Sequence, residues 1–422
     1  MLKKFIQSKS IQNGIWLYAL QAFNSILPLL TLPYIARVLL PDEYGIFSVA
    51  LSYVGYIVVV VEYGFNMTGA RKIAVSKDPS DDSRIFTAIL LVRGVLCIIC
   101  SAGVLIYCVI DGFSILSRCM LALMLMSAGT VLDQTWFFQG KQDMKYIAII
   151  NIVSRSISTI LIFLCVKDSN DLIVYCLLYA AVTLINGTIG TGLVCKKFGV
   201  SLQHLEPARL KDEIVEGWYL FTSSFSSKVL SSLGVIFLDW FTTSYDCGVY
   251  SALYKIPTIL LLAWNPVSQV LYPITSTKMA ESYEAGCEFV QKMQRILLTF
   301  FVVICLVLGL FAEFVVGLVL GESYVTHYTI VYPLLAWLLV AIYNNFQGVQ
   351  MLLAAGYLKE YSSCIRWSAL IAAIGNLVGI YFWGIQGATY APLISEVILT
   401  VLLQRKRKHI LKYRAQQKRM EQ

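Results

Sequence analysis

Phe138-Gln139-Gly140-Lys141-Gln142 returns downstream as Phe346-Gln347-Gly348-Val349-Gln350, and each copy closes the fourth apolar stretch of its half of the chain. A second echo has nearly the same offset. Glu43-Tyr44-Gly45-Ile46-Phe47-Ser48 matches Asp246-Cys247-Gly248-Val249-Tyr250-Ser251, with Gly14 and Gly217 equally far upstream of their copies. Apolar segments share a small alphabet, so one such match says little. Two at corresponding places point to a duplicated half. Parallel repeats of this kind are one known way to build a transporter.

Outward from these motifs the chain is almost all membrane. It is 58% hydrophobic and only 14% charged, against a soluble average of roughly half and a quarter. A span needs about 20 mostly apolar residues. Such stretches lie at 12–36, 44–66, 85–110, 118–139, 146–166 and 172–195, then at 215–239, 248–272, 293–316, 328–354, 365–384 and 388–404. The expected fold is therefore an all-α integral membrane protein of about twelve transmembrane helices in two six-helix lobes, related by a parallel internal repeat. The lobes fall at 1–198 and 214–404, with a polar cytoplasmic linker at 199–213 and a basic tail at 405–422. Every loop is short, which leaves no room for a soluble catalytic domain.

Orientation follows from Lys and Arg in the short loops. One side receives Lys3, Lys4, Lys9, Arg71, Lys72, Lys77, Arg84, Lys141, Lys145, Lys196, Lys197, Arg209, Lys211, Lys278, Lys292 and Arg295; the other holds Arg37, Arg118 and Lys167. Both termini are expected in the cytoplasm. The net charge of +8 and Arg405-Lys406-Arg407-Lys408 fit an anchor against anionic headgroups better than a nucleic-acid surface. The first span is too long for a signal h-region and carries Gln21 and Asn24, so it should stay as a helix. The eleven cysteines form no CxxC pair, and most sit in spans as packing residues; no metal site or cofactor is expected.

Ionisable groups inside spans cost about 2.5–3.5 kcal/mol each at a helix centre and mark cavities, ion routes or buried pairs. Four cations qualify: Arg155 and Lys228 near the centre, Arg93 nearer the cytoplasmic side and Lys255 nearer the outer side. Glu62 and Asp133 lie towards the cytoplasmic side, Asp239 and Glu313 near the outer ends, and Glu396 alone is central among the carboxylates. The midplane thus carries a cationic excess that an anionic substrate could neutralise. Polar residues recur at helical spacing around it: Asn151, Ser154/Arg155 and Ser158; Ser224, Ser227/Lys228 and Ser231; Gln21, Asn24/Ser25 and Pro28; Asn344, Gln347 and Gln350. Such stripes face protein or water. Serine alone signifies close helix packing as readily as a cavity. Glu62, Asp133 and Glu396 are candidates for proton or cation coupling, or for structural ion pairs. The three histidines fall in loops or the tail, which excludes a buried His relay.

Leu32-Pro33-Tyr34-Ile35-Ala36-Arg37-Val38-Leu39 leads to Pro41 and Tyr44-Gly45; Glu62-Tyr63-Gly64-Phe65 precedes Ala70-Arg71-Lys72-Ile73-Ala74; Trp136-Phe137-Phe138-Gln139-Gly140 closes the fourth span. In this combination the chain, up to about Gln404, resembles the polysaccharide flippases (Wzx-type O-antigen and related exporters) of the multidrug/oligosaccharidyl-lipid/polysaccharide superfamily. Leu40 departs from the family, which usually has Gly before that Pro.

The resemblance implies two six-helix lobes around a cationic cavity in a bacterial inner membrane. It also implies a substrate, an oligosaccharide on undecaprenyl pyrophosphate, and pathway partners, a polymerase and a chain-length regulator. Arg155, Lys228, Arg93 and Lys255 would then attract the pyrophosphate. Gln21, Asn24, Asn151, Ser224, Ser231, Asn344 and Gln347 would line the cavity. A flippase for a lipid-linked peptidoglycan precursor shares the charge argument, whereas a drug exporter should favour organic cations. A membrane polymerase or ligase would need paired carboxylates or His on a roomy loop, and the outer loops are short.

Overall fold

A computed structural model describes residues 9–76, 78–204 and 207–421. Lys3, Lys4, Lys77, Glu206 and Gln422 lie outside the described residues, as do the side chains of Ser227 and Ser231. The described residues are helical nearly throughout. Among the described residues, nine helices are long and apolar enough to cross a membrane, and a shorter apolar stretch covers Ser232–Phe241. Two of the nine, Gln12–Val75 and Leu358–Lys412, are long enough to cross twice. The all-α membrane-spanning fold class expected from the sequence is the one observed.

The chain forms two compact units, Met1–Ser232 and Leu233–Gln422. In the first, α1 (Lys9–Glu62) has a break at Leu40, where φ is 62° and ψ 171°. Then follow α2 (Phe65–Val75), α3 (Pro79–Ile110), α4 (Ile115–Leu132), the short α5 (Thr135–Gly140), α6 (Met144–Cys165) and α7 (Leu172–Phe198). Asp78 caps α3 by accepting from the Ser80 amide, and Pro79 sits at the first helical position, where its missing N–H costs nothing. The closest pairing is α4 on α7. Gly129 and Gly187 let the two backbones meet, as small residues do between membrane helices. At the basic end, Phe65, Phe86, Trp136, Phe137 and Phe138 form a buried aromatic core.

α8 (Pro207–Phe241) runs through the division between the units. Arg209 to Glu213, expected as part of a polar linker, are instead its opening turns. The physical reason is a set of ion pairs. Lys72 of α2 meets Glu213 and Glu216 at 2.7 Å each, and Arg71 pairs with Glu216. Tyr63 stacks on Phe221 with ring centroids 4.8 Å apart. The opening of α8 is thereby tied to the first unit.

The second unit continues with α9 (Ser244–Glu281), α10 (Tyr283–Leu310), α11 (Ala312–Val319), α12 (Glu322–Val325) and α13 (Val331–Asn345). α13 passes without interruption into a π-helix, Phe346–Leu353. α14 (Leu358–Glu421) follows, kinked at Gly384, where φ is 53° and ψ −129°. Trp264 of α9 packs between Phe301 and Phe346, at 5.9 and 5.1 Å. Both copies of the Phe-Gln-Gly motif therefore stand where the backbone leaves regular α-helix: beside the α4–α5 break in one unit and in the π-helix of the other.

Candidate functional site

In the first unit, the first arm of α1 and α6 lie side by side in parallel. Near one end, Asn13 Nδ2 donates to the Gln142 carbonyl at 2.9 Å, and Asn13 Oδ1 accepts from the Met144 amide at 3.3 Å. Near the other, the Tyr34 hydroxyl donates to the Val166 carbonyl at 2.5 Å and its ring meets Phe163 at 4.6 Å. The anchors are nearly the same number of residues apart on both helices. Equal rise per residue then sets Gln21 level with Asn151, and Asn24 level with Ser154 and Arg155. Two stripes predicted separately thus form one polar seam.

The seam has unspent hydrogen-bonding capacity. Asn24 Oδ1, Asn151 Oδ1, Ser154 Oγ and Arg155 Nε are buried without a hydrogen-bond partner. Buried polar groups are normally paired, so a cluster of exceptions needs a reason. Arg155 is half-buried. Ser158, one turn further along, is satisfied by donating to Leu178 O at 2.8 Å. Along these two helices the unspent groups thus lie between the levels of Gln21 and Asn24.

Lys228 is half-buried on α8, four residues before the end of the unit. Its Cε and Nζ occupy the space a side chain at Gly55 would need; a Cβ there would stand 2.7 Å from each. Gly55 therefore makes room for the ammonium, a role that no periodicity in the sequence reveals. Ser224 is exposed on the same helix.

Arg93 requires a correction. It was expected to line a cavity, yet it is 0% exposed. Its Nη1 donates to the carbonyls of Thr130 and Asp133 at 3.2 and 2.9 Å, and its Nη2 to Asn66 Oδ1 at 2.9 Å. These carbonyls lie where α4 stops, and a terminating helix leaves its last carbonyls without internal donors. Arg93 adds a charged donor there, beside the Asp133 amide and Trp136 Nε1, which donate to the same two carbonyls. Glu62 and Asp133 belong to the same cluster. Asn66 Nδ2 donates to Glu62 Oε1 at 2.9 Å, while Asp133 Oδ1 accepts from the Thr135 amide and hydroxyl at 3.1 and 2.6 Å.

In the second unit Lys255 is exposed on α9. Asn344 and Gln347, expected as cavity lining, are 5% and 3% exposed and hold helices together instead. Asn344 Nδ2 donates to Glu396 Oε2 at 2.6 Å and to its carbonyl at 2.8 Å, while Asn344 Oδ1 accepts from Thr400 at 2.8 Å. Gln347 donates to Gln294 at 2.9 Å and accepts from Arg407 at 3.0 Å. Gln350 donates to the Ser268 carbonyl at 3.0 Å. Arg407, expected with 405–408 only as an anchor against anionic headgroups, is also a packing partner of the buried Gln347.

The profile described as Polysaccharide biosynthesis protein matches residues 10–279, the whole described first unit and the start of the second. The chain belongs to this family. Two relatives match nearly its full length. A protein of Escherichia coli (strain K12) named for O-antigen transport is 26% identical over 398 residues, 93% of this chain and 95% of the relative. One of Shigella dysenteriae with the same name is 24% identical over 399 residues, 93% and 98% of the two chains. Among solved structures, the lipid II flippase MurJ in its inward closed conformation superposes with a TM-score of 0.69 at 10% identity, over 94% of this chain and 87% of MurJ. An inward-facing multidrug resistance MATE transporter of the MOP superfamily gives 0.66 at 13% identity, over 93% and 99%. The family member described here therefore shares the MOP fold.

Proposed function

We propose that this protein is a flippase, not an enzyme, that moves an oligosaccharide repeat unit on undecaprenyl pyrophosphate from the cytoplasmic to the periplasmic leaflet. The observation that carries this reading is the α1–α6 seam. Amides, a hydroxyl and a guanidinium with unspent hydrogen-bonding capacity lie within one turn of each other along otherwise apolar helices. Sugar hydroxyls donate and accept as amides do, and a pyrophosphate accepts from a guanidinium. Full-length similarity to relatives named for O-antigen transport supports the same substrate class.

The chemistry assigns separate tasks. Arg155 and Lys228 attract the pyrophosphate, with Lys255 a further cation on the second unit. Gln21, Asn24 and Asn151 contact the sugars, with Ser224 and Ser231 on α8 beside Lys228. The polyprenyl tail stays in lipid throughout. Alternating access comes from movement of the helical units, as in transporters built from repeats. Glu396, or Glu62 with Asp133, couples that movement to a proton or cation gradient. The protein sits in the bacterial inner membrane with both termini cytoplasmic, and works with a polymerase and a chain-length regulator.

The test is transbilayer movement of the lipid-linked oligosaccharide in proteoliposomes, for wild type beside Arg155→Gln and Lys228→Gln. Movement that falls at least tenfold in correctly inserted variants supports the assignment. Unchanged movement keeps the flippase and removes these two residues from its site. The MurJ-like fold favours a second reading, a lipid-linked peptidoglycan precursor as cargo. Competition between the two lipids in the same vesicles decides between them.

A further inference from the structure

Two of the eleven cysteines meet near the starts of α4 and α7 in the first unit. These helices run in parallel along their shared contact. Gly129 abuts the Leu184 amide, 55 residues further on, and the Thr191 hydroxyl donates to the Leu132 carbonyl at 2.8 Å across an interval of 59 residues. Cys119 and Cys176 are 57 residues apart, so equal rise along both helices sets them level. Both side chains are 0% exposed, and the Cys176 thiol donates to the Cys119 sulfur. Ser114 caps α4 and α7 opens at Leu172, which puts the pair about 6–8 Å inside the helix ends.

Two thiols in hydrogen-bond contact need only a small rotation about their Cα–Cβ bonds to reach the disulfide length of about 2.05 Å. The thiols of α3 that also face α4 are engaged elsewhere. Cys108 donates to the Ser117 carbonyl at 3.6 Å, and Cys97 shares a hydrogen bond with Ser127 Oγ at 3.3 Å. Compartment then decides the chemistry. The orientation in the flippase reading sets the starts of α4 and α7 at the periplasmic face, where disulfides form and persist.

We propose that Cys119 and Cys176 are oxidised to a disulfide as the chain folds. This rests on the orientation in that reading. The oxidant is the disulfide of a periplasmic thiol oxidoreductase. One cysteine thiolate attacks a sulfur of that disulfide and expels the other sulfur as a thiolate. The second cysteine thiolate then attacks the mixed disulfide, forms the Cys119–Cys176 bond and expels the remaining thiolate. Two electrons pass to the oxidant, which takes up the two protons and leaves as a dithiol. The exchange precedes closure of α4 on α7, because buried thiols are inert. The bond staples the outer ends of the two helices, as Gln134 and Thr191 tie their inner ends.

The test expresses the full chain in a bacterial host with periplasmic thiol oxidation and in one without it, then denatures and alkylates it with iodoacetamide in the absence of reductant. From the first host, two thiols fewer than the eleven in the sequence should react. Digestion should yield a reducible peptide pair carrying Cys119 and Cys176. From the second host all eleven should react, and the melting temperature in detergent should be several degrees lower, because the cross-link constrains the unfolded chain. Cys119→Ser should abolish the deficit, and Cys108→Ser should keep it. A C-terminal green fluorescent reporter on a separate sample, bright only in the cytoplasm, reads the orientation. Eleven reactive thiols from the first host beside a bright reporter overturn the disulfide and leave the orientation standing. A linked pair that joins other cysteines overturns it too. A dark reporter with Cys119 and Cys176 linked overturns the orientation and leaves the disulfide standing; a dark reporter with eleven reactive thiols overturns both.

Discussion

The fourth apolar stretch of each half meets the same sequence motif with a different backbone. In the first unit the helix stops at Leu132, and Arg93, arriving from α3, satisfies carbonyls at the break. In the second, α13 widens into a π-helix and keeps going. One solution consumes a buried cation; the other consumes an extra residue per turn. The polar partners follow suit. Gln134 donates to Thr191 of α7 at 3.2 Å in the first unit, where Asn344 donates to Glu396 of α14 at 2.6 Å in the second. A break held by a guanidinium is a fixed structure. A π-turn beside a carboxylate can respond to protonation, and π-bulges cluster at functional sites.

The comparison breaks most sharply at Arg93. Arg93→Met removes the cation beside Glu62 and Asp133, leaves Asn66 Oδ1 without its donor and should cost about 3–5 kcal/mol, the range for removing one partner of a buried charged network. It is measured as lost thermal stability in detergent. Arg93→Lys should recover only part, because one ammonium cannot match the forked geometry. Next is Asn344→Leu, which strands the Glu396 carboxylate and should cost about 1–3 kcal/mol by the same measurement.

Glu396→Gln sharpens the contrast, because an amide oxygen still accepts from Asn344. Its stability should change by less than about 1 kcal/mol. If Glu396 couples transport, gradient-driven movement falls while the fold survives; equal loss of both quantities would make it structural, like Arg93. The smallest effect is expected at Leu40, whose φ of 62° and ψ of 171° form a conformation that glycine adopts freely. Leu40→Gly should stabilise the chain by about 1 kcal/mol through released strain, and an unchanged or lower melting temperature would count against that account.

Much of the fold is legible in the sequence because membrane helices announce themselves locally. Twelve apolar stretches, their limits and the turn at Leu40-Pro41 need no tertiary information. The opening of α8 was misread as linker because its stabilisers, Glu213 and Glu216, find Lys72 and Arg71 far away in sequence. The site was half legible. Periodicity singles out Gln21, Asn24, Asn151 and Arg155 as candidates, since a stripe is a local property. What a stripe faces is not local. Asn344 and Gln347 obey the same spacing and turn out to be helix ties, and Arg93 answers carbonyls at a helix end that hydropathy cannot locate. Gly55 was invisible, since it contributes by lacking a side chain.

The hydrogen bond from Arg407 to Gln347 has a practical consequence. The basic tail is an integral part of the second unit's packing, because its first turn supplies the partner for a buried amide in the π-helix. A chain shortened before Arg407 would expose an unmet acceptor beside the repeated motif. Reporter fusions and affinity tags therefore belong after the last residue of α14, where they leave this tether in place.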